Sequence, residues 1–324
     1  MVDLTDEKDD STHTVNTVLP LKEPYRTGSY LSYDYPPGTT DTHFREGTNI
    51  DAHFRASGSR QLDLQLLESV LEYLAKKVPH GKKVPHGRVH LVDLRQESHG
   101  FLNKHAVSWY ADKDWVNVGQ SLEWILNNEA NQISGLSVRP GVKTQIFQLE
   151  KKGQDQVIPK GYSEVTVDSA QAEKAMKSAF CEYHRIPVTD HCAPNPEAAK
   201  LFVTLCRQVY EQPEDQSWIH FHCHGGDGRT TTFLAMYDMV CWAKANSANP
   251  DSLLPFLFPS IKYFANRQLQ LFAYDLDPAG CDDTKDWKCA LSAERWAWLA
   301  TWRQWIIGGG LTNKNPPPLS SNPP

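Results

Sequence analysis

The chain has no stretch approaching the roughly 20 consecutive apolar residues of a membrane span, so no transmembrane helix is expected. It has no excess of positive charge either. Lys and Arg number 33 against 39 Asp and Glu, a net charge of −6, which argues against bulk attraction to nucleic acid or to a membrane surface. Its seven cysteines form no CxxC and no zinc-ligand spacing, so no metal or cofactor is expected. An odd number of cysteines cannot all pair within one chain. Most are expected to be small buried hydrophobes, although Cys281 and Cys289 are close enough to pair if the protein is exported. A Gly-Lys-Ser/Thr ending is missing too, which removes a Walker-type nucleotide loop. The first ten residues are acidic and lack the apolar region of a signal peptide. Localisation is therefore left open, between a signal removed and delivery without one. What is present is 324 residues with 40% hydrophobic content, enough to bury a substantial core in one large domain or in one carrying a smaller insert.

The informative segment runs Trp218-Ile-His-Phe-His-Cys223-His-Gly-Gly-Asp-Gly-Arg229-Thr-Thr-Thr. An apolar strand leads into Cys223, Arg229 follows at Cys-x5-Arg spacing, and helical spacing begins at once. Gly225, Gly226 and Gly228 permit backbone conformations that turn successive N–H groups toward one anion. The helix beginning near Arg229 adds its N-terminal partial positive charge. The same field favours the thiolate, which is the attacking form. Arg229 supplies a planar fork for two equatorial phosphoryl oxygens. This pattern points to a cysteine-dependent phosphatase. Phosphatases for highly phosphorylated lipid headgroups often carry lysines inside this loop, whereas here His224 and Asp227 stand in it. Asp227 either binds loop amides or faces solvent.

Expelling an alkoxide from a phosphate monoester needs a proton donor. The best candidate is Asp190, in Val188-Thr-Asp-His-Cys-Ala-Pro194-Asn-Pro196, a Pro-shaped loop after a strand over Tyr183 to Val188. Asp93-Leu-Arg-Gln-Glu-Ser-His-Gly-Phe-Leu-Asn103, Val107-Ser-Trp-Tyr110, Asp114-Trp115, Thr189-Asp190-His191, the Cys223 loop and Asp286-Trp-Lys288 follow one another in order. Together they resemble the bacterial protein-tyrosine-phosphatase-like phytases over roughly residues 40 to 305.

That resemblance implies an α/β, protein-tyrosine-phosphatase-like fold: a central sheet flanked by helices, with a small inserted partial β-barrel domain. It implies Asp190 as general acid, His191 as a phosphate contact, and myo-inositol hexakisphosphate and lower inositol polyphosphates as substrates. Cys223 would attack phosphorus while Asp190 protonates the leaving oxygen, and water would then hydrolyse the cysteinyl-phosphate. Thr230 would hydrogen-bond the departing thiolate, and His222 would orient the loop. Lys288 and Arg295, seven residues apart on one helix, match two phosphate-holding cations and can face one pocket. Ser292 stands where a relative has an aromatic hydroxyl. His43-Phe44-Arg45 resembles a phosphate-binding segment, with Arg55 as a rival to Arg45. Asp114 matches a carboxylate that hydrogen-bonds a substrate hydroxyl or orders the pocket. The alternative is a protein-tyrosine or phosphoinositide phosphatase using the same chemistry. A non-catalytic phosphate-binding module is disfavoured by the intact Cys223, Arg229 and Asp190. Histidine acid phytases are excluded because no Arg-His-Gly occurs. Family members can form dimers, but the sequence carries no interface signal, so monomer and homodimer both stay open.

Along the chain, residues 1–28 read as a disordered polar arm, and 315–324 as a Pro-rich tail. The phosphatase core is expected over 29–112 and 179–314, with the small barrel domain over 113–178, where Thr144, Ile146, Gln148 and Tyr162 to Val167 alternate. Gln61 to Leu74 has helical spacing. A tandem hexapeptide, Lys76 to Gly81 and Lys82 to Gly87, reads as a loop duplication. Val89 to Leu94 reads as a core strand. Phe233, Tyr237, Val240 and Cys241 give a core-facing helical stripe, and Trp296, Trp298, Trp302 and Trp305 belong to a last, core-packed helix.

Overall fold

The computed structural model describes residues 29–78, 89–137, 142–176, 181–211, 217–246, 257–282 and 284–312. The N-terminal arm, all but the first three residues of the tandem hexapeptide, and the Pro-rich tail lie outside the described residues. The central sheet has five strands in the order β10 (Cys181–Val188), β4 (Val89–Arg95), β11 (Trp218–Cys223), β3 (Ala56–Arg60) and β2 (Arg45–Glu46). The first four run parallel and only β2 is antiparallel. The carboxyl ends of the parallel strands therefore share one edge of the sheet, where open α/β folds gather ligand-binding loops. Val188, Arg95, Cys223 and Arg60 end the strands there, and Cys223 pairs in register with Arg60.

Alternation along β11 divides its side chains between two cores. Ile219, Phe221 and Cys223 pack with α3 (Pro196–Tyr210), α4 (Gly228–Ala245) and α6 (Lys288–Ile307) in the main cluster. Trp218 faces the second cluster, built on α1 (Leu64–Lys77). On that face His220 is 2.9 Å from Ser57 Oγ and 3.1 Å from Ser59 Oγ, so its buried ring is satisfied. Asn195 caps α3 by accepting from Ala198 N at 2.8 Å, and Pro196 occupies the first turn, where its missing N–H costs nothing. Ser260 caps α5 (Ile261–Leu271) in the same way. Trp298 and Trp302 are buried, while Trp296 and Trp305 pack at the margin of the same core.

A second, antiparallel sheet has the order β1 (Tyr30–Tyr33), β6 (His105–Tyr110), β5 (His99–Leu102) and β9 (Ala170–Gln171). Beside it lies the two-stranded ribbon β7 (Lys143–Lys152) and β8 (Gln156–Thr166). Leu31, Leu102, Val107, Ile146 and Val167 form a small core between them. Where a partial β-barrel is expected, the described residues form a four-stranded sheet and a separate two-stranded ribbon. Three of the sheet's four strands come from residues before 113, because β1, β5 and β6 pair with one another rather than with the central sheet. Cys281 and Cys289 form a disulfide that ties the preceding loop to the first turn of α6. Cys181, Cys192, Cys206, Cys223 and Cys241 are free thiols. Among the described residues, no helix is long and apolar enough to cross a membrane.

Candidate active site

The loop from Cys223 to Arg229 wraps around the strand end and feeds α4. Cys223 is 2% exposed, and its Sγ accepts from Gly226 N at 3.2 Å and from Thr230 Oγ1 at 3.1 Å. Two donors aimed at sulfur stabilise negative charge on it. Gly226 has φ +77, and a Cβ there would lie 2.5 Å from Arg60 N, so the turn excludes any side chain. Gly228 packs against a side chain rather than backbone, since an added Cβ would meet Arg295 Nη1 at 2.4 Å and push that guanidinium aside. Gly225 O faces His43 Nδ1 at 2.9 Å. His224 O accepts from Tyr35 Oη at 2.9 Å and from Gln61 N at 3.1 Å.

Beneath the loop lies a buried ion network. Glu97 accepts both arms of Arg229, Nη1 at 2.7 Å and Nη2 at 3.0 Å, and also Arg95 Nε at 2.7 Å. Arg95 in turn reaches Asp34, Gln61 and Ser108. Burial opposes ionisation of Glu97, yet Arg229 and Arg95 outweigh it and hold the carboxyl well below the usual range. Burial also opposes the Arg229 charge, and Asp190 and Glu97 more than offset that, raising its pKa. Arg229 is thereby fixed as a charged fork at the mouth of the loop. His222 Nε2 lies 3.0 Å from Glu173 Oε1, which tethers the strand just before the nucleophile. Glu97, Arg95 and Glu173 had no role assigned from the sequence. The signal was available for the first two, because a strand carrying Asp93 and Arg95 into an apolar core, with Glu97 two residues beyond its end, demands buried partners.

Asp190 sits across the loop mouth, with Oδ1 3.1 Å from Arg229 Nε and Oδ2 3.1 Å from His191 Nε2. Its backbone carbonyl accepts from Trp115 Nε1 at 3.0 Å. Burial pushes its pKa up, but Arg229 and His191 win and leave it below the ordinary value. His191 adopts φ +66, stands edge-on to Trp287 at 5.3 Å, and is pushed down to about 4, first by burial. His224 is flanked by the rings of Tyr35 and Tyr110 at 5.5 and 5.7 Å. A cleft of about 540 Å³ opens beside it, lined by Tyr33, Tyr35, Tyr110, Phe147 and Lys151 among others.

The other expected residues divide. Lys288 and Arg295 both come to this edge. Lys288 Nζ pairs with Asp155 at 2.8 Å, and Asp155 lies 3.9 Å from His191. Arg295 is buried against Gly228 and donates to Tyr274 Oη and Ser292 Oγ. Arg45 does not project into the pocket as a free cation. It is 4% exposed and runs under the loop, donating to His43 O, Gly226 O and Thr231 Oγ1 and covering the Phe272 ring. Burial pushes it down to about 10. Arg55 lies away from the loop: Ala56, beside it, pairs with Ile219, near the opposite end of β11 from Cys223. Arg60, paired with Cys223, stands at the loop instead, with its guanidinium over Tyr35 at 3.6 Å. Asp227 turns away from the loop mouth toward His43 Nδ1, at 3.3 Å.

Asp114 is 2% exposed, and neither carboxylate oxygen has a hydrogen-bond partner. His224 Nδ1 lies 3.5 Å off. Burial, with the Glu97 charge adding to it, pushes Asp114 up to about 6. An acid whose folded pKa exceeds its unfolded value withdraws stability as pH rises between the two. Asp114→Asn is therefore expected to stabilise the protein by about 1 kcal/mol or more above pH 7 and not at all near pH 4, an order of magnitude set by 1.36 kcal/mol per unit. Urea unfolding at both pH values checks this, and an equal shift at both would refute it.

Two groups of side chains have metal-like spacing among the described residues. Asp93, His99 and Glu173 are buried, but Arg185 Nη1 already occupies Asp93 at 2.6 Å and His222 faces Glu173, which makes an ion network of them. His90, Glu182 and His184 lie toward the amino end of β4 and β10, where the two imidazoles are 3.0 Å apart.

Residues 92–241 match the profile of the PTP-like phytase family, described as inositol hexakisphosphate. The chain is 30% identical over 162 residues to the effector protein hopD2 of Pseudomonas syringae pv. tomato, which covers 50% of this chain and 34% of hopD2. It also matches the structure of the PTP-like myo-inositol phosphatase from Mitsuokella multacida in complex with myo-inositol-(1,3,4,5)-tetrakisphosphate. That match has a TM-score of 0.69 and 25% identity, covering 89% of this chain and 46% of the other. The structure of a PTP-like phytase from Bdellovibrio bacteriovorus matches with a TM-score of 0.64 and 26% identity, over 89% of this chain and 92% of that one. The chain therefore spans about a third of hopD2 and about half of the Mitsuokella phosphatase chain.

Proposed function

We propose that this relative of the PTP-like phytases is a cysteine-dependent phosphatase that removes phosphates stepwise from myo-inositol hexakisphosphate and its lower homologues. One observation carries the reading: a buried Cys223 Sγ receives Gly226 N and Thr230 Oγ1, at the mouth of a loop whose Arg229 is locked by Glu97 and faces Asp190.

A phosphoryl group seated in the loop takes its equatorial oxygens to the loop amides and to Arg229. The Cys223 thiolate attacks phosphorus in line, forming the S–P bond as the P–O bond to the ring breaks. Asp190 hands its proton to the departing oxygen. Water then attacks the cysteinyl-phosphate, the Asp190 carboxylate takes the water proton, and the Thr230 hydroxyl stabilises the released thiolate. His191, Lys288 and Arg295 receive further phosphates of the ring. Arg45 acts through the loop as a positioning residue, and Asp114 shapes the pocket through His224.

The experiment is phosphate release from the hexakisphosphate in the presence of a chelator, together with rapid quenching to recover a phosphorylated peptide. Release with the label on Cys223 supports the reading. The aromatic wall of the cleft beside His224 favours a second one, a phosphotyrosyl substrate. Turnover of a phosphotyrosyl peptide with none of the hexakisphosphate would keep the cysteine chemistry and replace the substrate class.

A further inference from the structure

The tip of the β7–β8 ribbon reaches the candidate active site. Val157 N donates to Asp112 Oδ1 at 2.7 Å, and Lys113 N donates to Asp155 O at 3.0 Å, which fixes the tip against the segment before Trp115. From it the Asp155 side chain, at φ +57, meets Lys288 Nζ at 2.8 Å and faces His191 Nε2 at 3.9 Å. His191 in turn lies 3.1 Å from Asp190. Lys288 thus stands next to the acid loop with its charge already matched. Of the other cations of this rim, Arg45 is committed to the loop backbone and Thr231, and Arg60 to the Tyr35 ring with Asp41 at 3.7 Å, whereas Arg295 donates only from Nη2, to Tyr274 and Ser292, and keeps Nη1 and Nε without a partner among the described residues.

We infer that Asp155 is a specificity-determining residue that occupies Lys288 and thereby weakens the second phosphate site. This inference rests on the reading of Lys288 as a phosphate ligand. A ring phosphate arriving at Lys288 must displace the carboxylate and then lie beside it, and like charges so close oppose binding. A substrate with one phosphate, held in the loop alone, does not meet Asp155. The residue therefore shifts preference away from the most highly phosphorylated rings and toward less phosphorylated ones.

Asp155→Asn removes the charge and keeps a residue that tolerates left-handed backbone. The hexakisphosphate is used as an inhibitor of p-nitrophenyl phosphate hydrolysis, so that its affinity is read whether or not it is turned over. The variant is expected to lower Ki for the hexakisphosphate about twofold to fivefold, the scale of one partly exposed charge pair. The kcat and KM for p-nitrophenyl phosphate should stay within about twofold by the same reasoning. Lys288→Ala should cancel the gain when combined with Asp155→Asn, and alone should raise Ki for the hexakisphosphate, because it removes a phosphate ligand and leaves the Asp155 carboxylate unmatched beside the ring. An unchanged or higher Ki, a gain that survives Lys288→Ala, or an equal change with p-nitrophenyl phosphate would overturn the inference. If Ki falls as expected but the hexakisphosphate is never turned over, the inference stands and the proposed substrate falls.

Discussion

Replacing Glu97 with Gln is expected to lower kcat/KM for p-nitrophenyl phosphate by about two orders of magnitude or more, the scale seen when one preorganised charge stabiliser is lost. The change leaves every loop residue in place. What it removes is the carboxylate that accepts both arms of Arg229 and the Nε of Arg95, all fully buried. An amide oxygen can keep the two bonds now made to Oε1, but the NH2 group that replaces Oε2 would point at Arg229 Nη1, and the carboxylate charge that balances two guanidiniums is gone. Arg229 would then rotate, or pull Asp190 inward, and its fork would no longer present two parallel N–H groups to the equatorial oxygens. Stability should fall too, by about 3–5 kcal/mol, because removing one partner leaves buried charge uncompensated. Kinetics and urea unfolding on the same preparation separate the two effects. Activity within threefold of the wild type, even with lowered stability, would reduce Glu97 to a structural support.

That clamp also shows why the site was only half legible in the sequence. Cys223, the glycines and Arg229 could be read because strand, loop and helix are contiguous, and seven residues carry the whole pattern. Glu97 and Arg229 are 132 positions apart, and nothing in composition or spacing pairs them. Arg45 and Arg55 could not be ranked for a similar reason, since their places depend on register. Pairing of Cys223 with Arg60 sends Arg55 toward the far end of the strand, while pairing of Arg45 with Gly58 sends Arg45 under the loop. Gly58 leaves room there for the helix that follows the loop, because a Cβ at that position would lie 2.7 Å from Thr230 Cγ2 and 2.9 Å from Leu234 Cδ1. Strands β4, β10 and β11 were visible as apolar runs, as was the ribbon by its alternation. The limits of the second sheet were not, because β1, β5 and β6 look like core strands until their partners are known. Asp155 was invisible: an acidic residue at a turn in a charged ribbon reads as solvated, and only the fold brings it to Lys288.

Asp190→Asn should discriminate between leaving groups. With an inositol phosphate, whose alkoxide is a poor leaving group, kcat is expected to fall about 10²–10⁴-fold, the usual worth of a positioned general acid. With 2,4-dinitrophenyl phosphate, whose phenolate departs without a proton, the first step should hardly change. The pH profile gives a second test. Burial raises the Asp190 pKa, but Arg229 and His191 hold it below its ordinary value. The acid form exists only below that pKa and is lost as pH rises through it. For the wild type, kcat/KM on inositol phosphates, which reports the free enzyme, should therefore be highest in the acid range. A bound phosphate dianion engages Arg229 and adds negative charge beside Asp190, so its pKa rises in the complex, and kcat should hold to higher pH than kcat/KM. The Asn variant should lose the alkaline fall in both. If Asp190→Asn slows dinitrophenyl and inositol esters by the same factor, the carboxylate is serving to position Arg229, 3.1 Å away, and the proton must come from elsewhere.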